Sequence, residues 1–493
     1  MHAAVAGFFA GLMLVGCGGG QNPSHPAVAL TVGAMLPDVG RSCCASEWAP
    51  AVELAMTDVN AALARVGAAR KSAWSKPVTF YLEERNSSSV ESTAHDLMDE
   101  LNGLGAKIVI SEASSASIGA NKWNYEQIAA GVADAIPVIS YSATSTSLNN
   151  PSATDPDPVR QAALADAADW FFRTCPTSDN LASVRLGYIL HRGGARNGDI
   201  NGDGVAKIVW VGTTDAATQT AIHDDVDAFT VYAGDSAHGT ATLLGKNVSF
   251  DAPVDPTTFN YADVLARALD ASDGHAPDLI INKTLTSVAL PLIKQFNQTS
   301  KGAVQMFQDG TFRRNTLLAA LGSDGDGQLG VSNIGYEAGD SGAVFAAELT
   351  AVTGWAPAAY QAQAYDATVM ALLAVVKASQ QVDDPATQIT PAAVRDSLKR
   401  LSVPMAQDPN RLVVRAGPAA LADGIAAIID NPRVNINYDG ASGPVDFDAA
   451  GNVSTRSAQW SILGQKFVEQ VVYDCVTSSA CPQVPRDPAL PPR

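Results

Sequence analysis

The sequence Ile-Pro-Val-Ile-Ser-Tyr-Ser-Ala-Thr-Ser-Thr-Ser-Leu at positions 136–148 joins an apolar run to a polar loop. Its first four residues are mostly β-branched, which is typical of a buried parallel strand with a proline at its edge. Six Ser and Thr residues follow between Ser140 and Ser147. Hydroxyl groups just beyond the carboxyl end of a strand lie where open α/β sheets bind ligands. A polar surface turn is the alternative interpretation of the same composition.

The segments before this stretch alternate between strand and helix patterns. Helical spacing of apolar residues at 51–63 and 90–104 separates apolar runs at 28–35, 78–83 and 107–110. This alternation predicts parallel βαβ units and a doubly wound α/β sheet. A second hydroxyl-rich loop at 111–117 follows the preceding strand, so both loops should lie at one sheet edge. Their placement favours ligand binding over a surface turn.

A second α/β series begins after residue 176 and predicts a second lobe of similar size. Its predicted strands are 206–211, 228–232, 279–282 and 303–307. The remaining predicted elements are helices at 357–378 and 391–401 and strands at 434–438, 445–447 and 460–463.

The composition and net charge of the chain exclude some classes of binding partner. The chain has 493 residues, 46% of them hydrophobic, which is enough for two or three domains with substantial cores. Its formal net charge is −18, and the acidic residues are spread along the chain. This charge argues against nucleic acid and against an anionic membrane surface as partners.

The N-terminus predicts export. Residues 3–15 are apolar but too short to span a bilayer, as in a signal peptide. They end in Leu14-Val15-Gly16-Cys17, followed by a glycine-rich stretch, which resembles a bacterial lipobox although no Lys or Arg precedes the apolar run. The resemblance implies a signal peptide over 1–17, lipidation of Cys17 and a flexible tether over 18–27. A cytosolic protein with an apolar N-terminus is the alternative.

Five further cysteines lie in the predicted mature chain, and an exported location permits disulfides. They are Cys43, Cys44, Cys175, Cys475 and Cys481. We expect Cys475 and Cys481 to pair because they are close in sequence, but the remaining connectivity is open. The cysteine and histidine spacings do not indicate zinc.

Four motifs in order resemble those of the type I periplasmic binding proteins of the leucine/isoleucine/valine-binding kind. The motifs are Ile136-Pro-Val-Ile-Ser-x-Ser-Ala-Thr144, Phe172-Arg-Thr-x-x-x-x-Asp179, Tyr360-x-x-x-Ala364-Tyr-Asp-Ala367 and Gly443-Pro-Val-Asp-Phe-Asp448-x-x-Gly451. The resemblance covers residues 28 to about 472 and implies two Rossmann-like lobes that close on a ligand by hinge motion.

The resemblance also implies where the lobes begin and end. Three hinge crossings are expected near Thr177, Gly335 and Val445. The implied first lobe is 28–176 plus 336–445, the second is 177–335 plus 446–475, and a disordered proline-rich tail covers 476–493.

In this family a zwitterionic amino acid is held by its carboxylate on first-lobe hydroxyl and amide groups and by its ammonium on a second-lobe carboxylate. The matching residues here are Ser115, Ser142 and Thr144 for the carboxylate and Asp309 for the ammonium, with Tyr141 as a further lining residue. Each has a structural alternative. Ser115 could cap a helix, Asp309 could belong to a turn with Gly310, and Tyr141 could pack beneath the loop.

Two departures concern the wall that contacts the ligand side chain. Where the family usually carries aromatic residues, this chain has Thr213-Thr214-Asp215-Ala216-Ala217 and Lys283-Thr284-Leu285. The loss of both aromatics puts branched-chain specificity in doubt.

An insertion resembles the first half of a calcium loop. Asp199-Ile-Asn201-Gly-Asp203-Gly204 places oxygen-bearing side chains at alternate positions before a glycine. The position of the expected bidentate Glu is Trp210. A structural calcium held by Asp199, Asn201 and Asp203 and a metal-free Asx turn are both open.

The seven histidines are scattered and none stands in a nucleophile–base pattern, so we predict that the protein is not an enzyme. The predicted function is that of a membrane-anchored, extracytoplasmic solute-binding lipoprotein. It would deliver an amino acid or a similar small polar ligand to an ABC transporter permease. A ligand-sensing receptor of the same fold is the alternative, and the sequence does not name the ligand.

Overall fold

The computed structural model describes residues 26–37, 47–131, 135–148, 160–161, 170–192, 198–233, 242–284, 286–300, 304–337, 339–475 and 483–484. These residues form two α/β lobes, each around its own sheet, with a small third sheet on the first lobe. The predicted α/β fold class is confirmed.

The first lobe contains a five-stranded parallel sheet in the order β2-β1-β3-β4-β5. The strands are β1 Val28–Leu36, β2 Val78–Asn86, β3 Val109–Ser111, β4 Val138–Ser140 and β5 Phe171–Arg173. The sheet is buried on both faces. Within β3, Ile110 packs toward one hydrophobic cluster and its neighbour Val109 toward another, as strand alternation requires.

Helices cover both faces of this sheet. Those of the first lobe are α1 Ala49–Arg70, α2 Glu91–Gly103, α3 Ser114–Ala129, α9 Asp340–Thr353, α10 Gln361–Ser379, α11 Pro385–Gln388, α12 Pro391–Leu401 and α13 Pro418–Asp430. All 19 residues of α10 are buried, since it packs against α1, α12 and the sheet. Most of this Ala-rich helix is apolar, as expected of a helix inside a core, and polar residues within it, such as Asp366 and Lys377, form hydrogen bonds.

The second lobe contains an eight-stranded sheet in the order β16-β15-β14-β10-β9-β8-β6-β7. The strands are β6 Val205–Thr213, β7 Thr242–Phe250, β8 Leu279–Asn282, β9 Gln305–Gln308, β10 Leu329–Asn333, β14 Arg456–Ile462, β15 Phe467–Asp474 and β16 Gln483–Val484. Strands β6 to β10 are parallel and repeat the order of β1 to β5, while β14 to β16 extend the sheet in antiparallel fashion. The two lobes therefore share one strand order.

The remaining elements complete both lobes. The second lobe has helices α4 Ser178–Arg192, α5 Ala216–Ala233, α6 Ala262–Ala268, α7 Thr286–Thr299 and α8 Asn315–Leu321. The third sheet has strands β11 Leu412–Arg415, β12 Ile436–Gly440 and β13 Gly443–Pro444.

The chain passes between the two lobes in three places. It leaves the first sheet between β5 and α4, returns between β10 and α9, and leaves again between β13 and β14. The positions expected for the crossings, Thr177, Gly335 and Val445, lie within these three connections.

Three sequence-based assignments are wrong. Residues 228–232 belong to α5 rather than to a strand, because Ile222 and Phe229 lie on one buried helical face despite the β-branched and aromatic residues around them. The strand of that region is β7. Residues 445–447 are not a strand, since the pairing with β12 ends at Pro444. Gln483–Val484, assigned to a disordered tail, pairs with β15.

Within the described part of the chain, no helix is both long enough and apolar enough to cross a membrane. Cys475 is disulfide-bonded, and its partner lies outside the described residues, as does Cys481, so the expected pairing stays a prediction. Cys175 is a buried free thiol whose pKa burial raises to about 12. The predicted lipidation site Cys17 also lies outside the described residues.

Candidate functional site

Loops that follow strands of the two lobes meet at an interlobe contact. On one side, the Thr146 hydroxyl donates to Asp224 Oδ1 of α5 at 2.9 Å. On the other, Glu47 accepts from the Asn315 amide at 2.5 Å, and the Arg314 guanidinium lies 4.0 Å from the Trp48 ring centroid. The structure therefore has the lobes in contact at the carboxyl ends of both sheets, where α/β folds bind ligands.

The loop after β4 places two unpaired hydroxyl groups at this position. Tyr141 is fully buried, with its ring edge-on to Trp48 at a centroid distance of 5.2 Å. Tyr141 Oη and Ser142 Oγ are buried, and neither has a hydrogen-bond partner among the described residues. Burial, together with the charge of Glu112, raises the pKa of Tyr141, so its hydroxyl stays a neutral donor. A buried hydroxyl without a partner costs roughly 1–3 kcal/mol, which a ligand acceptor would recover.

The rest of this loop is held by its own hydrogen bonds. Ser140 Oγ donates to the Glu112 carbonyl at 2.6 Å and accepts from the Ala143 amide at 3.0 Å. The half-buried Thr144 accepts through its carbonyl from the Ser178 amide at 2.7 Å. Most residues of the loop are buried, so the alternative of a polar surface turn is wrong.

Ser115 is the second residue of α3 and is half-buried. It is not the helix cap, because Ala113 occupies that position without a side-chain cap. Its neighbour Ser114 joins the two hydroxyl-rich loops by accepting from the Ser145 amide at 3.0 Å. The structure thus brings Ser115 and the 140–147 loop to one edge of the sheet, as the sequence predicts.

Asp309 follows β9 on the opposite wall, and its carboxylate is already paired. Arg185 Nη2 lies 2.9 Å from Oδ1, and Lys283 Nζ lies 3.5 Å from Oδ2. Burial raises the pKa of Asp309, but the charges of Lys283 and Arg185 outweigh it and bring this pKa below the ordinary value. Asp309 lies where the resemblance implies an ammonium partner, and its role in ligand binding stays a prediction.

Asp225 completes this group of charges. It is fully buried on α5 and pairs with Arg185, with Lys283 Nζ at 3.2 Å, and with the Trp210 indole N–H at 3.0 Å. Arg185, Lys283, Asp225 and Asp309 therefore form a cluster of two cations and two anions, which we call the second-lobe charge cluster. Lys283, noted in the sequence as a replacement for an aromatic residue, is one of its two cations.

Sequence reasoning missed four further residues at the interlobe contact. They are Trp48, Glu112, Arg314 and Tyr360. Trp48 contacts both Tyr141 and Tyr360. Glu112 accepts from the hydroxyls of Ser87 and Ser89, and burial raises its pKa. The adjacent arginines just after the 303–307 strand pattern were the one available signal, since a charged pair beyond a strand end is unusual in a buried region.

The predicted calcium loop is held by backbone amides. Asp199 accepts from the amides of Gly202, Asp203 and Gly204, and Asn201 Oδ1 accepts from the Asp203 amide. Asp203 accepts from the Val205 amide and contacts the His275 ring. Among the described residues, no three His, Cys, Asp or Glu side chains are grouped to hold a metal ion. This is the geometry of Asx turns, and calcium binding stays a prediction.

A separate hollow of about 380 Å³ lies at the hinge. Its lining includes Thr146, Arg173, Asp179, Asp448 and Asn452. Arg173 is fully buried and donates to the carbonyls of Ala143 and Ser145 at 2.7 and 2.9 Å. These bonds connect the hinge to the loop that carries Tyr141 and Ser142.

Neither a family model nor a curated protein matches this chain. Among solved structures, the leucine-binding protein LivK from Thermotoga maritima has a TM-score of 0.61 at 13% identity, over 90% of this chain and 98% of that one. A solute-binding protein of an ABC transporter from R. palustris, in complex with benzoate, has a TM-score of 0.58 at 17% identity, over 94% and 99%. LivJ from Streptococcus pneumoniae, in complex with isoleucine, has a TM-score of 0.56 at 13% identity, over 90% and 98%.

At these identities the similarity concerns the fold, and it extends over nearly the whole of each compared chain. The fold implied by the four sequence motifs is confirmed. The chain has the two-lobed fold of the type I periplasmic binding proteins.

Proposed function

We propose that this protein is the solute-binding component of an ABC transporter and captures a small organic ligand in the interlobe cleft. The fold supports this proposal, since the compared proteins of this fold are described as binding proteins for leucine, isoleucine or benzoate. Each of those ligands carries a carboxylate. A small ligand with a carboxylate group is therefore the starting hypothesis, which includes the amino acid expected from the sequence.

The observation that carries the proposal is the pair of unpartnered hydroxyls at Tyr141 and Ser142. They lie beyond the carboxyl end of a central strand, in a loop fixed by its own hydrogen bonds. Neutral donors in a preformed, buried setting suit a carboxylate, because they bind the anion without a desolvated counter-ion.

Binding without turnover agrees with the surroundings of these hydroxyls. A nucleophilic hydroxyl needs a base within hydrogen-bond reach. Tyr141 Oη and Ser142 Oγ have no such partner among the described residues, and the pKa of Tyr141 is raised rather than lowered. We therefore propose a binding protein rather than an enzyme.

The proposal places the protein outside the cytoplasm, anchored through Cys17 and docked to a permease. The apolar run and Leu14-Val15-Gly16-Cys17 support it. Expression of wild type and Cys17→Ala in a bacterial host, followed by membrane fractionation, tests this part. Wild type should be found with the membranes and the variant should not, whereas equal distribution would contradict the anchor.

The test of ligand capture is a thermal-unfolding panel on the full chain in detergent, with amino acids, small carboxylates, amides and sugars. A ligand at 100 times its dissociation constant should stabilise the protein by about 2.7 kcal/mol, a shift of a few degrees. The same ligand should bind less tightly to Tyr141→Phe. The absence of any shift across all four classes would contradict the proposed function.

A further inference from the structure

The four side chains of the second-lobe charge cluster form ion pairs with one another. Arg185 contacts both Asp225 and Asp309, and Lys283 Nζ lies 3.2 Å from Asp225 and 3.5 Å from Asp309. The side chains of Arg185 and Asp225 are 0% exposed and that of Lys283 is 1% exposed, whereas that of Asp309 is 20% exposed. Two cations and two anions sum to zero formal charge in a region sheltered from water.

A ligand ammonium at Asp309 would be a third cation beside two that are already bound. A buried cation is stable only with a counter-charge, and here both carboxylates are shared between Arg185 and Lys283. Like charges placed close together in a buried site repel each other strongly. An incoming ammonium would therefore have to displace Arg185 or Lys283, which would leave the displaced cation without its partner.

The opposite wall offers donors that suit an anion. Tyr141 Oη and Ser142 Oγ are buried and unpartnered among the described residues, and both are neutral O–H donors. Glu112, a buried acidic group near Tyr141, has a pKa that burial raises, while hydrogen bonds from Ser87 and Ser89 oppose this effect. The Arg314 guanidinium, 5% exposed, reaches from the second lobe over the Trp48 ring and lies near Tyr141, where it also interacts with the carboxylates of Glu47 and Glu112.

We propose that the cleft binds an organic carboxylate that has no ammonium group, in preference to the amino acid of the same skeleton. This inference rests on the proposed function and names the class of its ligand. The carboxylate accepts hydrogen bonds on the first-lobe wall, and the charge-balanced second-lobe wall rejects a cationic substituent. Discrimination thus comes from the absence of an available counter-ion.

Two matched sets of compounds test the class directly. Leucine is compared with isocaproate, which lacks its ammonium, and with isoamylamine, which lacks its carboxylate. Phenylalanine is compared in the same way with hydrocinnamate and phenethylamine. Calorimetric titration of the full chain in detergent should give at least one acid that binds roughly tenfold or more tightly than its parent amino acid, with the amines weakest.

An amino acid that binds as tightly as its deaminated acid, or more tightly, would overturn the inference and leave the proposed function standing. If no compound of either set binds but another solute of the thermal-unfolding panel does, the inference is overturned and the proposed function stands. If no compound binds at all, both the inference and the proposed function are overturned.

The variant Asp309→Asn distinguishes this inference from the hypothesis that Asp309 binds a ligand ammonium. Removal of one negative charge beside Arg185 and Lys283 should tighten binding of the preferred acid several-fold. An affinity that is unchanged or weaker would contradict the inference. Asp263→Asn is the matched control, because Asp263 is an exposed carboxylate of the same lobe paired with Arg267, and it should leave the affinity unchanged. Circular dichroism confirms that both variants are folded.

Discussion

In the first lobe, the loop after β4 presents Tyr141 and Ser142 as neutral hydroxyls without partners among the described residues. In the second lobe, the loops after β8 and β9 present Lys283 and Asp309 inside a set of mutual ion pairs. The loop after β9 corresponds to the loop after β4, because both sheets have the same strand order. The same backbone plan therefore carries one wall with unused hydrogen-bonding capacity and one wall whose charges are already satisfied.

This difference gives the two walls different roles: the first-lobe wall binds the ligand, and the second-lobe wall selects among ligands. The wall with unused donors can gain hydrogen bonds when a ligand arrives, whereas the paired wall loses interactions if a ligand competes for its charges. The acids nearest the two walls differ in their pKa values. Burial raises the pKa of Glu112, whereas at Asp309 the effect of burial is outweighed by the charges of Lys283 and Arg185, which bring the pKa below its ordinary value.

The largest expected effect is the loss of stability when an ion pair of the second-lobe charge cluster is removed. Arg185→Met removes the cation shared by Asp225 and Asp309 and leaves their buried charges under-compensated. Loss of one partner from a buried ion pair costs about 3–5 kcal/mol, so denaturant unfolding should show a loss of that order. Arg267→Met, which breaks an exposed pair with Asp263, should cost less than about 1 kcal/mol. Equal losses in the two variants would mean that the charge cluster is not buried in solution.

The next effect tests the unpaired wall. Tyr141→Phe removes a buried hydroxyl that has no partner among the described residues, so the free energy of unfolding of the ligand-free protein should stay the same or rise by up to about 1–3 kcal/mol, while ligand affinity should fall roughly five- to tenfold. Tyr438→Phe is the matched control, since its hydroxyl donates to Asp366 at 2.9 Å away from the cleft. It should lower stability by about 1 kcal/mol without affecting affinity. The reverse pattern in titration and denaturation experiments would place the ligand elsewhere.

A smaller effect concerns pH. Burial and then the nearby charge of Asp58 raise the pKa of Glu348 from 4.5 to about 7. The folded state therefore holds a proton that the unfolded state releases between these values, so this contribution to stability is complete at low pH and is lost as pH rises through 7. Melting temperatures at pH 5 and pH 8 should differ more in wild type than in Glu348→Gln. Asp423→Asn, at an exposed position of α13, should behave like wild type.

The smallest expected effect is that of calcium. Backbone amides already donate to the side-chain oxygens of Asp199, Asn201 and Asp203. We expect the melting temperature to change by less than about 1 °C between calcium and EDTA, because a ligand stabilises only when it binds the folded state. A shift of several degrees that disappears in Asp203→Asn would instead support the calcium site predicted from the sequence.

Much of the fold could be predicted because parallel strands buried on both faces have continuous apolar sequences. The runs that contain Val138 and Ile280 are examples. Residues 228–232 were wrongly predicted as a strand because they include β-branched and aromatic residues. They lie on a helix whose buried face is fixed by tertiary packing. Asp366, which lies in the third motif, has a structural role, since it accepts from Tyr438, Ala441 and Ser442.

The position of the candidate site could be predicted from the sequence, but the pairing of its charged side chains could not. The hydroxyl loop was identified because it follows a strand, and Asp309 was identified through the resemblance to the binding-protein family. The partner of Asp309 was not identified, because Arg185 lies 124 residues away on α4 and no local pattern connects them. The contact of Arg314 with Trp48 likewise joins the two lobes and depends on how they close. Site chemistry that arises from contacts between residues far apart in the sequence, within a lobe or between lobes, is therefore outside the reach of local sequence patterns.

The most direct test of the account is a crystal structure of the protein with the tightest ligand from the titration sets. The account predicts a ligand carboxylate within hydrogen-bond distance of Tyr141 Oη or Ser142 Oγ, with the Arg185–Asp309 and Lys283–Asp225 pairs intact. A ligand ammonium bound to Asp309 after displacement of Arg185 or Lys283, or a ligand in the hinge hollow, would contradict it.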